Sequence, residues 1–169
     1  MNRLFCLTAC LCLAFPAWAQ PGPTPLDRTL AYLRAEGLPP GLTEADLAEL
    51  EITDQYTDAH NGVTHLYLRQ RHGGVPLQGR QLSAHLDPDG RVRRVHVQLA
   101  GKLAARCPAP TPTLSAQAAL LAGLRHLGRW EAALPPRIEG PQGPTQAQRF
   151  AGGDLSVEPI PLQLAYVPT

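Results

Sequence analysis

Between Ile52 and Leu99 the chain alternates apolar and polar residues in short runs separated by turn signals, which restricts this stretch to an antiparallel meander. The segment Ile52 to Ala59 runs into a turn at Asn61-Gly62. Val63 to Gln70 is rich in β-formers and stops at Gly73-Gly74. A third strand, Gln81 to Leu86, puts Leu82, Ala84 and Leu86 on one face. Asp87-Pro88-Asp89-Gly90 is a strong turn signal, after which Val95, Val97 and Leu99 alternate on a fourth strand. A sheet with one apolar face needs a covering layer, and the material for it lies upstream. Leu26, Leu30 and Leu33 recur at helical spacing until Gly37 and Pro39-Pro40 stop the helix. Thr43 then starts a second, short helix to about Leu50, with Asp46 in the capping-box position and Leu42 and Leu47 placed as a hydrophobic staple.

After the meander the composition changes. Pro108, Pro110 and Pro112 mark a linker, and Leu114 to Leu127 reads as an Ala/Leu helix with Ala118, Leu121 and Leu124 on one face and Gly128 beyond its end. Pro135 to Thr145 is a loop by composition, and Leu155 to Tyr166 is a strand edge broken by Pro159 and Pro161. One helix and one or two interrupted strands make a poor core, so this second unit reads as incomplete.

The N-terminus carries an address. Arg3 precedes an apolar run from Leu4 to Phe15, and Ala17-Trp18-Ala19 gives the small-x-small pattern of a cleavage site before Gln20. That run spans about 18 Å as a helix, short of a bilayer core of about 30 Å. The expectation is a cleaved export signal, a secreted or periplasmic product and no stable membrane anchor. Leu7-Thr8-Ala9-Cys10 offers a lipoprotein box as the rival, but Cys10 sits inside the apolar run. Removal after Ala19 takes Cys6, Cys10 and Cys12 and leaves Cys107, a lone thiol in a Pro-rich stretch. The organisation expected is a signal at 1–19, a lead-in and short helix at 20–41, a domain at 42–100, a Pro-rich linker at 101–112 and a partial second module at 113–169.

A formal net charge of +1 gives no electrostatic grip on nucleic acid. No G-x-S-x-G elbow or phosphate loop occurs. Ser83 neighbours His85 without an acid in view, which makes a triad a poor reading. The histidines, His60, His65, His72, His85, His96 and His126, lack H-E-x-x-H spacing, although strands could gather His65, His85 and His96 on one face as metal ligands. Half-exposed strand histidines are the plainer reading. Asp54 and Asp58 border Tyr56, while Asp87 and Asp89 suit a turn.

A more specific pattern overlies these readings. Leu42-Thr43-Glu44-Ala45-Asp46-Leu47, then Ile52-Thr53-Asp54-Gln55-Tyr56-Thr57-Asp58, Asn61-Gly62-Val63-Thr64-His65-Leu66-Tyr67-Leu68-Arg69-Gln70 and Gly74-Val75-Pro76-Leu77 follow in order. Together they resemble the fungalysin/thermolysin propeptide domain over Leu42 to Leu99, most like the pro-region of secreted fungalysin-type zinc metallopeptidases. The tail from Thr113 to Thr169, with Leu164-x-Tyr166-x-Pro168, is similar to the start of the module that follows in those precursors. The resemblance implies an α+β fold, a cystatin-like helix on a curved antiparallel sheet followed by an incomplete second small α+β module. It implies a non-catalytic pro-region that inhibits a metallopeptidase and assists its folding. The partner would be the catalytic domain of a zinc metallopeptidase, in cis or in trans. Zinc is expected only in that domain, so the chain as given is expected to be no enzyme, with no cofactor, metal or catalytic residue of its own. The family pattern falls on Tyr56, Asn61, Gly62, His65, Tyr67, Gln70, Gly74 and Pro76, which would either fix the sheet and its turns or touch the peptidase. The alternatives are a free-standing secreted peptidase inhibitor and a ligand- or metal-binding module built on the strand histidines.

Overall fold

Thr24 opens the first helix, α1 (Pro25–Glu36), by a reciprocal cap in which the Asp27 amide donates to Thr24 Oγ1 at 3.1 Å and the Thr24 amide donates to Asp27 Oδ2 at 2.9 Å. The computed structural model describes residues 22–108, 111–129 and 133–167. The segment expected to be an export signal with its cleavage site, Pro110 and Pro168 lie outside the described residues. As expected from its spacing, α1 turns Leu26, Leu30 and Leu33 to the sheet and stops at Gly37.

The helix α2 (Glu44–Leu47) starts at Thr43 but ends before the expected Leu50, because Leu50 already belongs to the first strand. Four antiparallel strands follow in spatial order β1-β2-β3-β4: β1 (Leu50–Thr57), β2 (Thr64–His72), β3 (Val75–Leu86) and β4 (Val92–Gln98). Leu66, Leu68, Leu82, Ala84 and Leu86 are all buried on the helix side, with Val92, Val95, Val97 and Leu99 packed around them. Each fully buried leucine contributes roughly 1.5–3 kcal/mol relative to exposure. Register shifts at Ile52/Asp54, Arg69/Arg71 and His85/Leu86 bend the sheet over α1.

The third strand begins at Val75, not at Gln81. The Gly73-Gly74 turn pairs His72 with Val75 and Arg71 with Pro76. Leu77 to Arg80 then bulge opposite Gln70, and Gly79 takes φ +68° there. Regular alternation returns only at Gln81, which is where the sequence signal starts. Within the segment expected as linker, Leu103–Arg106 forms a short helix, α3.

The second unit holds α4 (Ala116–His126), capped by Ser115 Oγ, and a three-stranded antiparallel sheet of β5 (Arg137–Gln142), β6 (Ala147–Phe150) and β7 (Ile160–Leu162). The buried face of α4 is Leu120 and Leu124 with Ala116 against Phe150; Ala118 is exposed, so the expected face was rotated. The stretch Pro135 to Thr145, expected as loop, contains β5. All six β5 residues are exposed, so an edge strand formed without the burial that would have written an apolar period into it. The units meet where Tyr166 pairs in parallel with Leu77: Tyr166 N donates to Pro76 O at 2.9 Å and Gln78 N to Tyr166 O at 2.8 Å. No helix among the described residues is long and apolar enough to cross a membrane.

Candidate functional site

Because side chains alternate across a strand, covering one face with α1 sends the other set outward. Register then fixes what stands beside what. Tyr56 on β1 pairs with His65 on β2, His65 with His85 on β3, and His85 with Arg94 on β4, giving one transverse row across the open face. The neighbouring row is Asp54, Tyr67, Ser83 and His96.

The first row is in contact along three of its members. The Tyr56 and His65 rings stack at 4.8 Å between centroids and 14° between planes, and Tyr67 lies 6.3 Å from Tyr56. His65 meets His85 edge-on at 4.8 Å, with the two Nδ1 atoms 2.9 Å apart, so one imidazole donates and the other accepts. Burial, followed by His65 and Arg94, lowers the His85 pKa and favours its neutral form, which can serve as either partner in this bond. The neighbouring Tyr67 hydroxyl is the first cause holding the Tyr56 phenol above its ordinary value. Tyr56 is 47% exposed, a large aromatic surface at the edge of the sheet. Glu51 anchors the far end of the face by pairing with Arg69 at 2.8 Å and Arg71 at 3.3 Å.

This surface presents exposed aromatic and guanidinium groups, Tyr56 and Arg94 among them. Tyrosine and arginine supply contact area and hydrogen bonding, and both are enriched at interfaces. No hydrogen bond joins Ser83 to a histidine among the described residues, so the triad geometry is not assembled there. Nor do the described residues hold a group of three or more His, Cys, Asp or Glu side chains placed to share a metal ion. Of the histidines, His65 and His85 come together; His60 sits in the β1–β2 turn, His72 lies 6.2 Å from the Tyr166 ring, His96 is exposed on β4 and His126 ends α4.

All the family-pattern residues except Gln70 divide among three places. Tyr56, His65 and Tyr67 occupy the open face. Asn61 and Gly62 hold the β1–β2 turn, where Val63 N donates to Asn61 Oδ1 at 2.9 Å and Gly62 N to Asp58 O at 2.8 Å. Gly74 and Pro76 form the β2–β3 turn and the seam: Gly74 has φ +76° and lies against Pro144, where a Cβ would stand 2.7 Å from that ring. The turn is closed by Glu49, whose carboxylate takes the Gly74 and Gly73 amides at 2.7 and 2.9 Å; the Gly74 bond is the leading cause of its lowered pKa.

Gln70 stands apart, fully buried on the core side. Its amide copies a strand: Nε2 donates to Ala100 O at 2.8 Å and Asp46 O at 3.1 Å, while Oε1 accepts from Ala100 N at 2.8 Å. Beside it Asp46 accepts from Thr43 N, Thr43 Oγ1, Lys102 N and Leu103 N at 2.7–3.0 Å, tying α2 to α3. Burial raises the Asp46 pKa, yet these four bonds together outweigh it and leave the carboxyl below its ordinary range. Sequence reasoning found Asp46 as a local cap but not its second set of donors, which lie far along the chain and leave no local mark.

Comparison with known families places this sheet. Residues 48–99 match the family described as Fungalysin/Thermolysin Propeptide Motif, a stretch that spans all four strands from β1 to β4. No curated protein matches the chain.

Proposed function

We propose that this chain is an exported pro-region that binds the catalytic domain of a fungalysin/thermolysin-type zinc metallopeptidase, restrains it and assists its folding. The observation that carries the reading is the coincidence of the propeptide motif at residues 48–99 with an open sheet face bearing the row Tyr56, His65, His85 and Arg94. Tyr56, Tyr67 and Arg94 would supply the contacts, and the buried Gln70 and Asp46 would hold that face in shape rather than touch the partner. Export through the N-terminal signal fits a secreted peptidase as partner.

An interface able to hold a peptidase shut buries on the order of 1,600 Å² in total. The experiment is to add the purified chain to a fungalysin-type catalytic domain and follow hydrolysis of a peptide substrate, together with the yield of active enzyme on refolding. Slowed hydrolysis or raised yield is expected, with Tyr56→Ala weakening either effect about tenfold. A chain that neither slows nor assists the enzyme, tested in trans and fused upstream of it, overturns the reading.

A further inference from the structure

The bulge in β3 builds a second feature on the opposite flank of the sheet from the Tyr56 row. Leu77 to Arg80 stand against Gln70 alone, so Arg80 leaves the regular ladder, and it lines the seam with the last described segment. There it borders a cleft of about 310 Å³ that also involves α3 and Tyr166. The cleft has an apolar floor in Leu77 and Leu103, each 4% exposed. The Tyr166 hydroxyl beside it donates to Pro108 O at 2.8 Å and so is already committed.

The polar side of this cleft is basic and unpaired. Arg80 Nε is the one buried side-chain nitrogen or oxygen without a hydrogen-bond partner among the described residues. Arg106 faces the same cleft, and neither arginine makes an ion pair among the described residues. Two acids on adjoining segments are occupied elsewhere: Asp46 by the Lys102 and Leu103 amides, Glu49 by the Gly73 and Gly74 amides. A buried unpaired donor disfavours the free protein, and native chains rarely keep one without a use. A guanidinium is matched by a carboxylate, which its planar fork takes in two parallel bonds.

We propose that this cleft binds a carboxylate carried on a short aliphatic body, the oxygens held by Arg80 and Arg106 and the body laid against Leu77 and Leu103. The same chemistry is presented by a free aliphatic acid and by the terminal carboxylate of a peptide. The site is independent of the open face and does not require the peptidase partner.

The test is calorimetric titration of the full chain with N-acetyl-leucine, with its carboxamide, and with a tripeptide ending in leucine. The expected result is saturable binding of the acid with a dissociation constant below about 1 mM, at least tenfold weaker binding of the amide, and about a tenfold loss in Arg80→Gln. Tighter binding of the tripeptide than of N-acetyl-leucine identifies a peptide terminus as the source, and equal binding a free acid. No uptake of either acid, equal binding of acid and amide, or an unchanged affinity in Arg80→Gln overturns the proposal. Arg80→Met supplies a second readout without ligand. A melting temperature equal to or above that of the parent is expected, since the variant removes an unpaired donor. A fall of more than about 5 °C would make Arg80 a structural residue and sink the idea.

Discussion

The four-stranded and the three-stranded sheets are each covered by a single helix, yet they hold together in different ways. In the first, Leu33, Leu66, Leu68, Leu82, Ala84 and Leu86 form one buried layer, all at 5% exposure or less, ringed by eight further apolar side chains. In the second, Phe150 is fully buried, but Leu120 and Leu124 keep 8% exposure, while Leu127, Ile138 and Val157 stand 74%, 53% and 102% exposed. Strand length explains much of the contrast. Strands β2 and β3 have 9 and 12 residues, enough for several inward side chains each, whereas β6 and β7 have 4 and 3. A helix over short strands closes around one aromatic plug; a helix over long strands closes around a layer.

The largest effect expected to expose this difference is Phe150→Ala, which removes the fully buried side chain of the second unit and costs about 4 kcal/mol. Hydrogen exchange should then show amides of β5 to β7 losing protection while those of β2 and β3 keep theirs. Loss of protection in both sheets together would break the comparison. Next comes Asp46→Ala, at about 2–3 kcal/mol, because it strands the Thr43, Lys102 and Leu103 amides at once. Urea unfolding of the first unit should move to a lower midpoint, with the second little affected.

Tyr166→Phe should cost about 1 kcal/mol, the ordinary value of one hydrogen bond, here to Pro108 O. A double-mutant cycle with Phe150→Ala would sharpen the comparison by reporting how strongly the seam couples the units. The smallest effect is a pH dependence. Burial lowers His85 below its ordinary value, so the unfolded chain takes up the proton first as pH falls. The stability contributed by neutral His85 is intact above the unfolded value of about 6.5 and is lost as pH falls from there through the folded value. Urea midpoints at pH 8 and pH 5.5 should differ for the parent and differ less for His85→Asn, with the change confined to the first unit.

Where burial imposed a period, the sequence carried it. The stripe of Leu26, Leu30 and Leu33 and the alternation of Leu82, Ala84 and Leu86 each state which side faces inward. Strand β5 left no such trace because all its residues are exposed, and the start of β3 was hidden because the bulge at Leu77 to Arg80 interrupts the alternation. The face of α4 was misplaced for a related reason: in a run of Ala and Leu nearly every rotation offers an apolar stripe, and only the position of Phe150 selects Leu120 and Leu124. On the open face, Tyr56, His65 and His85 were visible one by one. Their union in a single row depends on how many residues each bulge inserts, and bulges write little into local sequence. Arg80 and Tyr166 border one cleft only because distant segments come together, beyond the reach of any local window.

The parallel pairing of Tyr166 with Leu77 joins residues separated by most of the described chain. Closing a loop of roughly ninety residues costs about 4 kcal/mol in chain entropy, more than two backbone hydrogen bonds return. The stitch can therefore persist only when both units are already in place, and it cannot form until Tyr166 itself has left the ribosomal tunnel. It acts as a completion signal: protection of the Gln78 and Tyr166 amides reports that a given molecule has finished both units, which neither sheet can report for the other.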